Sequence, residues 1–369
     1  MRSEKTKQEE NDVFSQKLLG YKKLIDDDLA QYSRSLQKQT LLNYGVNSRI
    51  AVDAFVDMLS RGGKRLRGAM TMLAYEMSGG KDNQMIIKAA RAIEIIHVYI
   101  LIMDDINDRS TTRRGGPTVH YILKDYHHKN HLADDSLHFG ESIAMNVALL
   151  GAHSAQSIMA NLEVDESLRL KGIDSLNKSM VVTAHGQFND VFNEVIAEVK
   201  AGQVDKVYEW KTAHYTFLNP LKMGMILAGA GEDELEAVAE FAMHAGRLFQ
   251  ISDDMLGTFS NELESGKSPL DDIKEGKQTL LVIKAVENSS KADGYFLREC
   301  LGKQNLSKTD FERCKQIIIE SGSLDYSKQE AAKAEHMAEK ALENMMPYWP
   351  IEGIEFLDEL TKRLADRKN

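Results

Sequence analysis

Long stretches of this chain repeat apolar side chains at threes and fours, and only five prolines interrupt its 369 residues. That periodicity gathers apolar groups on one face of a helix. A chain with so few residues able to break a helix has little freedom to be anything but α-helical. Residues 14–60 carry the pattern until Gly62-Gly63 breaks it, and residues 84–108 carry it without interruption. Further helical patterns cover 141–163, 167–200, 203–230, 232–259 and 277–300, and 326–346 reads as an alanine-rich amphipathic helix of alternating charge. The segment 115–140 begins Gly-Gly-Pro and is rich in His and Asp, so it is predicted to be partly irregular. Neither a repeat nor a Pro/Gly/Ser-rich linker divides the chain. The expectation is an all-α fold in a single domain over residues 1–369, with the charged N-terminal residues 1–12 mobile.

Composition narrows the function. A formal charge of -10 argues against a nucleic-acid surface, so any bound anion must be held by local cations or a metal. Cys300 and Cys314 have a spacing that fits neither zinc nor a redox motif, and reduced thiols in a cytosolic helical region are expected. One pair alone leaves a disulfide open. The first dozen residues lack the apolar stretch of a signal peptide, and no apolar run approaches the roughly 20 residues of a membrane helix. A soluble, cytoplasmic protein is expected, not one that spans a membrane.

Residues 104–116 carry the chemistry. Asp104, Asp105 and Asp108 close an apolar helical run and are followed by Arg109, Arg113 and Arg114. On a helix Asp104 and Asp108 lie one turn apart on one face, with Asp105 beside them. Hard carboxylate oxygens grouped in this way suit Mg²⁺, which takes one or two carboxylates plus waters and substrate phosphates. Arginine forks match phosphate oxygens, so metal and arginine together imply a polyphosphate ligand. For this stretch alone, a solvated charge cluster at a helix end is the competing reading.

Asp253 and Asp254 end another apolar helical run, and a crowded carboxylate pair calls for a neutralising cation. Two such sites on separate helices would make a multi-metal clamp able to hold a diphosphate. Basic residues recur in the same sequence neighbourhoods. Lys64, Arg65 and Arg67 follow a glycine pair, Lys211-Thr212 lies in a helical pattern, and Lys267 and Lys277 flank Asp271-Asp272. Any one of these lysines alone is an ordinary surface charge; their grouping is what points to an anion. His97 precedes Asp104 by two helical turns and so shares its face. Among His120, His127, His128, His131 and His138, the His127–His131 spacing fits a transition metal. No cysteine accompanies them and the segment reads as a loop, so no specific metal site is expected there.

Taken in order, these motifs resemble those of the trans-isoprenyl diphosphate synthases, or polyprenyl synthetases, over about residues 60–290. Gly62-Gly63-Lys64-Arg65-Leu66-Arg67 resembles the family's GGKRLR motif, and Glu94 to His97 with Asp104 to Gly115 its first aspartate-rich region. Gly186-Gln187-Phe-Asn-Asp190 is similar to GQxxD, and Lys211-Thr212 to its KT pair. Phe249-Gln250-Ile-Ser-Asp253-Asp254 resembles the second aspartate-rich region, and Gly266-Lys267 with Gly276-Lys277 the downstream lysines. The resemblance implies a single large helical bundle around a deep central cavity, the isoprenoid synthase fold, with the two aspartate regions facing each other. It implies head-to-tail condensation of isopentenyl diphosphate with an allylic diphosphate through a carbocation, assisted by several Mg²⁺ ions, in a homodimer.

The roles it implies are as follows. Asp104, Asp105, Asp108, Asp253 and Asp254 hold magnesium directly or through water. Arg113, Lys211 and Lys267 grip the allylic diphosphate, with Lys277 among the substrate-binding lysines. Lys64, Arg67, His97 and Arg114 bind isopentenyl diphosphate, and the oxygens of Thr212 and Gln250 stabilise the cation. Two departures stand out: Gly257 replaces the third aspartate of the second region, and Ala148-Leu149 stands where many members carry Gly-Asp. The first bears on metal affinity, and the second is read as a packing change.

Ile96, Tyr99 and Ile100 lie one to two turns before Asp104, where bulk would stop the growing tail. In the family, two adjacent aromatics there are associated with farnesyl products and small residues with long chains. The single aromatic Tyr99 points to geranylgeranyl diphosphate, with farnesyl diphosphate the alternative. A non-catalytic regulatory subunit and a terpene cyclase are the remaining readings. The retained aspartates weigh against the first, and the isopentenyl-site cations weigh against the second.

Overall fold

The computed structural model describes residues 12–196, 198–259 and 270–366. Among them the only strands are two residues each, and everything else regular is helical. The contacts cluster into two compact units. One comprises the described residues up to Asp174 with Met223–Gly229; the other comprises Ser175–Lys222 and the described residues from Ala230 onward.

The first unit opens with α1 (Val13–Ser60), which departs from helical geometry at Gly45, where φ is 82°. After α2 (Leu66–Met77) comes α3 (Asn83–Asn107), started by Asp82, whose carboxylate accepts the N–H groups of Gln84 and Met85. Ile86, Ile93, Ile95, Val98 and Ile102 of α3 are buried, and the helix packs against α2 and α5 (Ser136–Ala160). That apolar anchorage fixes where the aspartates at its C-terminal end project. A hairpin of β1 (Thr112–Arg113) and β2 (Gly116–Pro117) follows, pairing Arg113 with Gly116.

The histidine-rich segment is more regular than its composition indicates. Residues Val119–Lys129 form α4, with Val119, His120, Leu123 and His127 buried on one face. The two buried histidines complete an apolar face that a hydrophobicity reading misses. Irregularity remains at the turn before α4, where Gly115 has φ of 71°, and in the following loop, where His131 and Asp134 have φ of 51° and 78°.

The second unit takes the C-terminal part of α6 (Glu166–Val195), then α7 (Ala201–Val207) and a π-helical segment, Tyr208–Leu218. The expected helix over 203–230 thus widens before it continues as α8 (Asn219–Ala228). The cause is crowding from glycine-lined neighbours. A Cβ at Gly186 of α6 would fall well inside van der Waals contact of the Lys211 backbone. One at Gly246 of α9 (Glu232–Phe259) would do the same to Ala213. With backbone pressed against backbone on both sides, the segment adopts a wider turn, as π bulges at functional sites commonly do.

Beyond α9 come α10 (Asp271–Glu275), α11 (Leu280–Asn288), α12 (Lys291–Cys300), α13 (Lys308–Glu320), α14 (Ser323–Leu342) and α15 (Ile351–Ala365). The pattern over 277–300 splits because Ser290 accepts the N–H of Asp293 and starts a new helix. Cys300 and Cys314 are buried free thiols, as expected. No helix among the described residues is long and apolar enough to cross a membrane.

The close approach at Gly186 gives a direct test. Gly186→Ala should lower stability by about 1–3 kcal/mol through overpacking, despite alanine's better helix propensity. Urea unfolding of the variant against wild type measures it.

Candidate active site

At the end of α3, Asp105 is fully buried and accepts a 2.7 Å hydrogen bond from Arg113 Nε. Burial works against the Arg113 charge, but Asp105 and then Asp104 outweigh it and hold the guanidinium above its ordinary value. Asp104 keeps partial exposure and Asp108 is nearly buried. The hairpin carrying Arg113 and Arg114 is pinned by Arg61, whose Nη1 donates to the carbonyls of Arg113 (3.0 Å) and Pro117 (2.6 Å). A side chain at Gly116 would collide with that guanidinium. Arg61 went unassigned in the sequence, although its place just before Gly62-Gly63 marks it as part of the same basic turn.

The predicted isopentenyl-site residues converge. Arg67 Nη1 lies 3.5 Å from His97 Nε2, and a Cβ at Gly63 would stand 3.3 Å from Arg114 Nη2. Gly63, with φ of 131°, therefore allows both the turn and the approach of Arg114. Exposed Lys64 follows it directly. Arg65, between Lys64 and Arg67, has a different task. Its buried guanidinium donates to Asp26 (2.8 Å), to the Leu59 carbonyl (2.7 Å) and to Glu94 (3.4 Å), and Glu94 also accepts the Gly68 N–H at 2.9 Å. This buried knot ties the basic turn to α3. Burial, then the charges of Arg67, Arg114, Arg113 and Arg65, hold the His97 imidazole well below its usual value. His97 is thus a neutral hydrogen-bonding partner inside a cationic cluster.

Of the three tail-stopping candidates, Ile96 is packed in the core of its unit, whereas Tyr99 and Ile100 keep partial exposure. A Cβ at Gly151 of α5 would stand 3.2 Å from Tyr99 Cβ and 3.1 Å from the Phe55 ring, so small Gly151 makes room for both aromatics. Ala148 is buried, but Leu149 is 55% exposed, so only the first of that pair is a packing change.

In the second unit Lys211 Nζ donates to Asp190 at 2.6 Å, and Lys277 Nζ to Asp190 at 3.3 Å and Glu194 at 2.7 Å. Thr212 Oγ1 donates to Gln250 Oε1 at 2.6 Å, and Gln250 Nε2 donates to Asp254 Oδ1 at 2.8 Å. The Tyr208 hydroxyl donates to Asp254 Oδ2 and accepts the Leu280 N–H at 3.3 Å. Asp253 is exposed while Asp254 is buried. Burial pushes the Asp254 carboxyl well above its usual range, against the hydrogen bonds from Tyr208 and Gln250, while Asp272 and Asp253 add to the rise. Tyr208 was missed, though it lies three residues before Lys211 on the same segment. Lys267 lies outside the described residues. The missing third aspartate has a steric account: the Asp272 carboxylate occupies the space that a side chain at Gly257 would need.

The donor set fits magnesium. It is made of carboxylate oxygens: partly exposed Asp104 and neighbouring Asp108 at the end of α3, and exposed Asp253 on α9. A hard cation that keeps waters and takes its remaining ligands from substrate phosphates matches that pattern. In the histidine segment, His127 Nε2 lies 2.8 Å from the Ala133 carbonyl and His128 Nε2 2.9 Å from Ser136 Oγ.

A sequence model of the polyprenyl synthetases matches residues 49–318. The chain belongs to the polyprenyl synthetase family. It is a trans-prenyltransferase, of a family that uses divalent metal. It is 31% identical over 328 residues to the geranylgeranyl diphosphate synthase of Saccharolobus solfataricus, covering 87% of this chain and 92% of that one. The geranylfarnesyl diphosphate synthase of Aeropyrum pernix is 29% identical over 315 residues, covering 85% and 93%. A crystal structure of geranylgeranyl pyrophosphate synthase from Corynebacterium glutamicum, complexed with isoprenyl diphosphate and magnesium, superposes with a TM-score of 0.89. That structure is 27% identical, and the match covers 94% of this chain and 98% of that one.

His97 yields a prediction with a defined sign. Because its folded-state value lies below the ordinary 6.5, the neutral ring stabilises the fold fully above that pH, and this stabilisation is lost as pH falls through the folded value. In ¹⁵N-resolved imidazole spectra His97 should remain neutral at pH 6, where a free histidine is largely protonated. Titration near 6.5 would contradict this packing.

Proposed function

We propose that this prenyltransferase condenses isopentenyl diphosphate with an allylic diphosphate to give geranylgeranyl diphosphate, with Mg²⁺ as its metal. The observation that carries the reading is the convergence of Gly63, Arg67, His97 and Arg114 in one cationic cluster. A terpene cyclase has no use for this second diphosphate site. In this reading Lys64, Arg67 and Arg114 bind the isopentenyl diphosphate, with His97 as a neutral partner.

The allylic diphosphate is gripped by Arg113 and Lys211, joined on the sequence resemblance by Lys267 and Lys277. Asp104, Asp108 and Asp253 hold the metal, and Asp105, bonded to Arg113, fixes that arginine behind them. Bound Mg²⁺ supplies positive charge to the leaving pyrophosphate oxygens. Arg113 and Lys211 add fixed positive charge where negative charge develops, which lowers the barrier without a covalent intermediate. Asp190 holds Lys211 in place, and Gly186 on the same helix allows α6 close enough for that contact. The oxygens of Thr212 and Gln250 stabilise the allylic cation that departure leaves.

The product assignment rests on partly exposed Tyr99, backed by Phe55 and Gly151, and on relatives named geranylgeranyl diphosphate synthases. The reading includes a cytoplasmic homodimer, for which the exposed Met145 and Leu149 on α5 offer an apolar contact surface.

The test is incubation of the purified chain alone with isopentenyl diphosphate, dimethylallyl diphosphate and Mg²⁺, followed by mass analysis. A geranylgeranyl product is expected, and Tyr99→Ala should shift the distribution to longer chains. No turnover would favour a non-catalytic subunit, and an unchanged distribution in the variant would remove Tyr99 from the cavity floor.

A further inference from the structure

The second aspartate pair is split by its surroundings. Asp253 is exposed, whereas both oxygens of buried Asp254 are engaged by protein donors. The direction of each hydrogen bond follows from what each group is able to do. The Leu280 backbone N–H can only donate, so Tyr208 accepts it and keeps its own hydrogen for Asp254 Oδ2. With Asp254 as the carboxylate, which the hydrogen bonds from Tyr208 and Gln250 favour, Oδ1 accepts, so the group that Gln250 turns toward it is the NH₂. A proton shared between Tyr208 and Oδ2 leaves that polarity unchanged. Gln250 consequently presents its carbonyl oxygen to Thr212, and a carbonyl accepts only a hydroxyl hydrogen. The hydrogen of Thr212 is thereby used, and only lone pairs remain on its oxygen for a third partner.

We propose that Asp254 is a positioning residue and not a metal ligand: held by Tyr208, it sets the Gln250 amide so that Thr212 meets the allylic cation with its lone pairs. This rests on the prenyl-transfer reading and deepens it. A hydroxyl free to rotate would point its positive end toward the same carbon part of the time, and a dipole fixed beforehand needs no reorganisation as the cation forms. Tyr208 and Asp254 touch neither substrate nor metal; they act through Gln250. The two neighbouring aspartates thus divide the labour, Asp253 toward metal and Asp254 toward cation.

The test compares Asp253→Asn, Asp254→Asn and Tyr208→Phe in the full chain, with helical circular dichroism confirming the fold. Mn²⁺ binding in the presence of inorganic pyrophosphate, followed by the paramagnetic signal of the free ion, reads the metal without turnover. Asp253→Asn should weaken it by about tenfold or more, while Asp254→Asn and Tyr208→Phe stay within about twofold, since their hydrogen bonds lead to Gln250 and not to a metal ligand. Equal weakening in Asp253→Asn and Asp254→Asn would overturn the proposal, and this arm decides it even for a chain that formed no product.

In turnover, Asp254→Asn and Thr212→Val should each lower kcat by about 10²-fold with little change in KM, and the double variant should lose little more than either one. Asparagine in place of Asp254 can also donate, so it frees the Gln250 amide to reverse. Multiplicative losses in the double variant would show independent roles and contradict the mechanism.

Discussion

The constraint on which this structure depends is the neutralisation of charge inside an apolar helical protein. A buried carboxylate or guanidinium is costly unless it is paired and hydrogen-bonded. Around Arg65 that requirement joins three segments distant in sequence: α1 through Asp26, the turn after α1 through Leu59, and α3 through Glu94. The same rule pairs Asp105 with Arg113 and Asp190 with two lysines. Ions that contact no substrate hold in place the ions proposed to do so. In each unit the scaffold of the candidate residues is therefore electrostatic, set on an apolar frame that α3 provides in the first and α9 in the second.

Glycine supplies the other half of the construction. At Gly63, Gly116, Gly186 and Gly246 the missing side chain is what permits a guanidinium or a backbone to come close. Gly257 belongs to the same group, because the Asp272 carboxylate fills the space a third aspartate would need. The departure from the family's aspartate pattern is thus coupled to a packing choice between α9 and α10.

Much of this was legible in the chain. Helical periodicity located α1, α3, α5, α6 and α9, because long apolar stripes survive whatever they pack against. The ordered motifs identified the carboxylates, the basic turn and the KT pair, since chemistry fixes those residue types. Positioning residues were harder to read. Arg61, Glu94 and Tyr208 lie beside or within the motifs, but the contacts through which they act cross long sequence separations, so their tasks are not written locally. The histidine-rich α4 was obscured because buried histidines served as its apolar face. The π segment was hidden because its cause is the approach of α6 and α9, not its own sequence. Ile96 shared the helical spacing of Tyr99, yet burial separates them.

The proposal most in need of a test, carried by the resemblance of the motifs, is that the carboxylates ending α3 and those on α9 serve the same leaving diphosphate. Calorimetric titration of inorganic pyrophosphate into the intact protein with and without Mg²⁺ tests it most directly. A single magnesium-dependent pyrophosphate site per chain is predicted, lost in Asp104→Asn and lost equally in Asp253→Asn. Retention of that site in either variant, or two separable sites each removed by one substitution, would contradict it.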